Sequence, residues 1–408
     1  MKRSMMIWTG QSFSVIGSAM VQLTIIWWIT LTYESASTLA LADIMGFLPQ
    51  IVLTPIAEAY VDRWDRCKVM IASDGFVAAT TVVLVLLFLK DVVESWRILA
   101  VLAFGSASRS FHWPAAQAAT TMLVPERQLT GVQELNQSIF GLSSITSPPV
   151  ASVLYAFVEI GWILCMDIAT ALMAMIPLLI VTIPSPTRKA VKGMSIYGDM
   201  REAFQYIMGW MGLSLVLVLF MLANLLLVPA FSLQPLLVVD HFGGDAIDFA
   251  SVEALAGIGT LVSGIILGIW GGTKRKIITV MGAMTLAGVG MTVIGLIPSD
   301  VFLMLLGVVF FVGTMFPVLN GAINGMLRSF IPPGMQGRVF AMLGSLAMAM
   351  SPVGLAIGGP LADAYGVQIW FIISGVFMGV AGIVALLVAA VLHIEDEMAR
   401  NGAVDIKP

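Results

Sequence analysis

The chain has 408 residues, 59% hydrophobic and 11% charged, with a formal charge of −4 and a mean hydropathy of +0.98. That much apolar surface excludes an ordinary soluble domain, a disordered chain and a nucleic-acid binder, and it points to a lipid bilayer as solvent. Cys67 and Cys165 lie far apart with no CxxC spacing, which excludes a disulfide framework and a cysteine metal site.

A crossing needs about 20 apolar residues, and in lipid each backbone amide must be bonded within its own segment, so the long apolar runs must be helices. Twelve such runs are expected near 5–32, 39–60, 69–89, 97–122, 130–157, 161–183, 208–239, 249–271, 276–297, 300–327, 337–362 and 367–392. The first carries no small-residue cleavage pattern and is expected to be retained. It also carries Gln11, Gln22, Trp27 and Trp28, and the second begins close to Asp43. A dense charge cluster, Glu58 to Lys68, joins the second and third runs and holds Asp62, Arg63, Asp65 and Arg66; Asp74 follows in the third run.

Ionisable side chains inside a membrane are costly and therefore informative. Arg109 and His112 lie mid-span in the fourth run, three residues apart and so on one helix face. Glu126 sits in the turn after it, Glu134 near the start of the fifth run, Asp167 in the sixth and Asp363 at the end of the eleventh. Near run ends (Asp43, Asp167, Asp363) snorkelling or capping is expected; for Arg109 the expected counter-ion is Glu134 or Asp43. The polar stretch around Pro184 to Glu202 divides the chain into residues 1–183, a linker 184–205, residues 206–393 and a tail 394–408. Beyond it, Asn224, Phe231 and Gln234 mark the seventh run, Phe316 and Asn320 the tenth, and Arg338 the head of the eleventh.

Charge asymmetry orients the chain. With the amino terminus inside, every Lys and Arg except Lys90, Arg97 and Arg109 falls on the cytosolic side, and an even number of spans returns the carboxyl terminus there. The halves also repeat. Trp113-Pro114-Ala115 matches Phe316-Pro317-Val318, Val124-Pro125-Glu126 matches Ile331-Pro332-Pro333, and Ser147-Pro148-Pro149-Val150 matches Ser351-Pro352-Val353-Gly354. Pro148 and Pro352 lie 204 residues apart, half of the 408-residue chain. Parallel repeats of six helices are the plan of major facilitator transporters.

On these residues the chain resembles that superfamily, and within it the macrolide-efflux branch. The resemblance runs nearly end to end through Ile7-Trp8-Thr9-Gly10-Gln11, Gly46-Phe47-Leu48-Pro49, Phe111-His112-Trp113-Pro114-Ala115, Leu123-Val124-Pro125-Glu126, Asp240-His241-Phe242 and Gly337-Arg338-Val339-Phe340. The superfamily loop signature, Gly-x-x-x-Asp-Arg-x-Gly-Arg-Arg/Lys, is met at Asp62, Arg63 and Arg66, with Glu58 and Asp65 standing where it has glycine. The resemblance implies an all-α membrane protein of twelve transmembrane helices in two six-helix pseudo-symmetric bundles. It implies a secondary exporter of small amphipathic, macrolide-like molecules in a bacterial or archaeal plasma membrane, working by alternating access with proton antiport, as a monomer without cofactor or metal. Export of a siderophore or lipid is the alternative, and a non-transporting receptor or scaffold is the reading from another class.

The resemblance further places Asp62 against the amino end of the eleventh helix, where the dipole stabilises a carboxylate by about 0.3–1 kcal/mol. Gating is thereby expected of Asp62, Arg63, Arg66, Glu126, Asp74 and Arg338, with Arg66 pairing Glu126 or Asp74. Proton coupling is expected of Glu134, Asp43, Arg109 and His112. Substrate binding is expected of Gln11, Gln22, Trp27, Trp28, Asn224, Phe231, Gln234, Phe316 and Asn320, where aromatic area combines with adaptable amides. The histidines His112, His241 and His393 lie on different segments, and no Ser/His/Asp set, phosphate loop or Walker motif is present, so neither catalysis nor direct ATP drive is expected.

Overall fold

The computed structural model describes residues 2–61, 64–123, 126–180, 196–392 and 394–395; the side chains of 2–8, of 123–140 and of a few isolated positions lie outside the described set. Asp62, Arg63, the side chains of Glu126 and Glu134, and most of the linker and tail therefore lie outside the described residues. Every described element is helical: α1 (Lys2–Tyr33), α2 (Ala36–Val61), α3 (Arg66–Leu89), α4 (Ser95–Leu123), α5 (Glu126–Phe157), α6 (Ile160–Ile180), α7 (Ile196–Met208), α8 (Met211–Ser232), α9 (Gln234–Leu236), a π-turn (Leu237–His241), α10 (Ala246–Trp270), α11 (Lys276–Leu296), α12 (Phe302–Phe330), α13 (Pro333–Tyr365), α14 (Gln368–Leu387) and α15 (Ala389–Leu392). Among the described residues ten of them are long and apolar enough to cross a membrane. Neither α4 nor α5 is among the ten; α4 is diluted by Ser106, Ser108, Arg109, Ser110 and His112.

Two differences from the sequence expectation have clear causes. The stretch 184–205 is read from the sequence only as a linker, and α7 begins inside it at Ile196. Ala203 and Ile207, four residues apart and hence on one face, are both fully buried, and α7 packs on α13. The seventh run was expected to continue to 239, but α8 ends at Ser232. Pro235 then opens α9 at a position where its missing amide is harmless.

The chain forms two compact units: Met1–Ala190 with Val238–Asp240 and Gly244–Ala254, and Val191–Leu237 with His241–Gly243 and Leu255–Pro408. In the first, α1 lies on α6 and α5, α2 on α4, and α3 on α4 and α6. Gly17 makes the α1–α6 approach possible, because a Cβ there would collide with the Thr170 hydroxyl. Without a hydrophobic drive between helices in lipid, close packing of small residues holds such pairs together.

The second unit uses the same device more heavily. On α11, Gly288 and Gly295, and on α14, Gly375 and Gly382, each sit where a Cβ would strike the facing backbone. Gly354 and Gly358 of α13 likewise meet Leu225 and Pro229 of α8, and Trp370 Nε1 donates to the Leu226 carbonyl at 2.7 Å. His241 in the π-turn donates from Nε2 to the Ile297 carbonyl (2.8 Å) and accepts at Nδ1 from Gln368 Nε2 (2.5 Å), tying the turn to the heads of α14 and the loop before α12.

Candidate functional site

The first unit gathers most of the buried ionisable side chains. Asp74, nine residues into α3, is buried. Its Oδ2 accepts a hydrogen bond from Gln11 Nε2 of α1 at 3.1 Å. Its Oδ1 lies 3.2 Å from His112 Nε2 of α4, an ion-pair distance without a hydrogen bond. Asp167 of α6 is also buried; Ser18 of α1 donates to its Oδ1 at 3.0 Å and Thr81 of α3 to its Oδ2 at 2.8 Å. Arg109 interacts electrostatically with Asp167, and both line a cavity of about 30 Å³ shared with Ser18, Gln22, Thr80 and Gly105. Such a volume holds a water where polar partners converge. The guanidinium bends back along its own helix, and the open space over Gly105 lets it pass, with Nη1 3.8 Å from where a Cβ would stand.

Helical spacing explains the assembly. Arg109 and His112 share a face of α4, and Asp74 and Thr81, seven residues apart, share a face of α3. The α3–α4 and α3–α6 packing then brings both faces together. Arg109 thus shares its cavity with Asp167, a residue that helix-end reasoning assigned to snorkelling or capping. Asp43 is buried near the start of α2 and does not line the cavity. Mutual proximity of Asp167, Asp74 and Arg109 was not readable from spacing, since they come from three helices.

Asp74 does not meet Arg66. The two are eight residues apart on one helix, about 12 Å along its axis at 1.5 Å per residue, because α3 starts at Arg66 itself. The Arg66 Nη1 instead contacts Met122 Sδ of α4. Asp65 gains a role that the loop signature did not suggest: it caps α3, its Oδ1 accepting from the Cys67 amide at 3.0 Å and the Lys68 amide at 3.3 Å. Arg338, near the head of α13, pairs with Glu202 of α7 at 2.8 Å on an exposed surface.

The residues expected to bind substrate separate into packed and open ones. Trp27 is 2% exposed and stacks on Phe249 at 5.0 Å within the first unit, and Trp28 packs edge-on to Phe88 and Tyr33. In the second unit Phe231 is exposed and meets Phe316 edge-on at 5.4 Å, with Asn320 exposed one turn further along α12. Asn224 and Asn320 spend one amide N–H each on their own helices, at Phe220 and Phe316. Gln234 is buried at the head of α9. Glu253, which sequence reasoning passed over, lies on α10 seven residues from its start; only its place inside a span marks it out.

The Major Facilitator Superfamily profile matches residues 7–346 and 213–402. The chain belongs to the Major Facilitator Superfamily. Macrolide efflux protein A of Streptococcus pyogenes is 33% identical to this transporter over 370 residues, covering 90% of this chain and 91% of that protein. Multidrug efflux pump Tap of Mycolicibacterium fortuitum is 27% identical over 375 residues, 88% and 89% of the two chains. Among solved structures, a bacterial homologue of the iron transporter ferroportin superposes with a TM-score of 0.72 over 94% of this chain and 97% of its own, at 13% identity. A bacterial homologue of the human lysosomal transporter Spinster gives 0.71 over 98% of both chains at 13% identity. At that identity the likeness speaks for the fold alone. The protein is a multi-pass membrane transporter and not an enzyme.

Proposed function

We propose that this transporter exports macrolides or related amphipathic compounds by alternating access, exchanging them for protons. The similarity to macrolide and multidrug efflux proteins along nearly the whole chain carries this reading. The proposal includes twelve spans in two six-helix bundles with both termini cytosolic, α4 and α5 joining the ten apolar helices. The domain bounds are 1–183, 184–205, 206–393 and 394–408, and the unit works as a monomer. Asp62, Arg63, Arg66, Glu126, Asp74 and Arg338 serve the cytosolic gate. Arg109 and His112 serve proton exchange with Glu134 or Asp43 as the carboxylate, and Gln11, Gln22, Trp27, Trp28, Asn224, Phe231, Gln234, Phe316 and Asn320 of the first, seventh and tenth spans meet the cargo.

Several buried charges on one bundle of helices support the coupled mechanism, since unpaired charge in a membrane is retained only where it is used. Purified protein in liposomes with an imposed pH gradient, offered a macrolide, a cationic dye and a siderophore, tests the reading. Gradient-dependent movement of the macrolide is expected. Movement of the siderophore alone would identify a metabolite exporter, and saturable macrolide binding without movement of any compound would identify a receptor.

A further inference from the structure

Among the described residues, the charges gathered where α3, α4 and α6 meet do not balance. Asp74 and Asp167 contribute two negative charges and Arg109 one positive, so with His112 neutral the group is one proton short of neutrality. Net charge among membrane helices is expensive, and a single proton removes it. The two carboxylates differ in what they offer that proton. Each oxygen of Asp167 already accepts from a hydroxyl, Ser18 or Thr81, and Arg109 stands across the shared cavity. Asp74 has one oxygen held by Gln11 and the other 3.2 Å from an imidazole nitrogen that has no hydrogen-bond partner among the described residues. A proton on His112 Nε2 would turn that close approach into a charged pair.

The groups facing this pair are few. Arg109 comes from α4 and Asp167 from α6, Arg66 heads α3, and Asp43 and Glu58 lie on α2, which packs on α4. From α1 come Gln11 and Ser18 and, among its described side chains, no charge. Packed on α1, α5 carries Glu134, whose side chain lies outside the described residues. The His112 side chain is 18% exposed while its Nε2 is buried, so water reaches that nitrogen only when the cluster opens.

We propose that the Asp74–His112 pair is the site where the transporter takes up and releases its coupled proton, with Asp167 serving as the standing counter-charge of Arg109. Uptake forms the Nε2–H bond with a proton from water and makes an imidazolium–carboxylate pair. Release breaks that bond and returns the proton to water when cargo, or wider access of water to the cluster, stabilises the ionised state. Gln11 is a positioning residue that keeps Oδ1 of Asp74 turned to the imidazole. The inference rests on the proton-coupled reading above and moves its carboxylate from Glu134 or Asp43 to Asp74.

The test follows proton exchange on adding erythromycin to the purified transporter in lipid nanodiscs, in weak buffer with a pH-sensitive dye. The wild type is expected to exchange about one proton per bound macrolide, the amount needed to neutralise the cluster. Asp74→Asn and His112→Gln are expected to lose the exchange while still binding, and Glu134→Gln and Asp43→Asn to keep it. Exchange retained by Asp74→Asn or His112→Gln, or lost in Glu134→Gln or Asp43→Asn, overturns the assignment but leaves antiport standing. No exchange by the wild type overturns antiport itself. If the Asp74 or His112 variant fails to fold, the wild type answers through its isotopically labelled histidine rings, assigned with His241→Gln and His393→Gln. At one fixed pH the ring signals of His112 are expected to change from one protonation state to the other on adding erythromycin, and unchanged signals would reject the proposal.

Discussion

Asp65 stands where the loop signature has a glycine, and its side chain takes over two amides at the head of α3. Removal of an N-cap carboxylate costs about 1 kcal/mol. Asp65→Ala is therefore expected to lower the unfolding midpoint in detergent by an amount of that order, and Asp65→Asn to recover most of it. Another residue-scale effect concerns Asp240 in the π-turn. Burial first, and the nearby Glu34 second, push its carboxyl above the usual carboxylate range. A carboxyl whose folded pKa is raised favours the folded state at acid pH and loses that contribution as pH rises through the folded pKa. Comparison of wild type with Asp240→Asn by thermal unfolding across mildly acidic to neutral pH should show the wild type losing stability relative to the variant as pH increases. A constant difference would mean that Asp240 titrates alike in both states.

Among the elements, the α11–α14 seam is sensitive to side-chain size along its length. Gly375 approaches Thr292 and Gly288 so closely that a branched side chain must force the helices apart. Overpacking in a dense interior typically costs about 1–3 kcal/mol, and here the obstruction is backbone on both sides. Gly375→Val should reduce the yield of folded protein far more than Gly282→Val, since no atom lies within 4 Å of a Cβ at Gly282. Equal yields would remove the seam from the account of stability. The helices themselves were legible in the sequence, because length and apolarity leave a bilayer segment no other backbone conformation. The short α7 was not, because its signal is only Ala203 and Ile207 on one face within a charged stretch. Its anchoring to α13 is a tertiary fact.

For the whole molecule, the cytosolic latch implied at Asp62 is expected to bias opening and not folding. Loss of a helix-end carboxylate contact of about 1 kcal/mol shifts a two-state population about fivefold. Asp62→Asn should therefore widen spin-label distances across the cytosolic mouth and lower transport at unchanged expression; identical distance distributions would deny it a gating role. At this scale too, much of the candidate site was visible early. Arg109 and His112 announced themselves as charges in mid-span. Their partners did not, because the pairings with Asp74 and Asp167 depend on which helix faces which. Gln11, expected at the cargo, also donates one amide N–H to Asp74, a contact that spacing along one helix could not show.

The sequence repeat aligns α3 and α6 with α11 and α14, yet the two pairs are joined differently: a Thr81–Asp167 hydrogen bond in the first, glycine against glycine and threonine in the second. The two repeated halves therefore fail in different ways. In a random mutagenesis screen for loss of drug tolerance, lesions in α3 and α6 should cluster as changes of charge or polarity at constant size. Those in α11 and α14 should cluster as gains of bulk at constant polarity. An expression screen would find mainly the second kind.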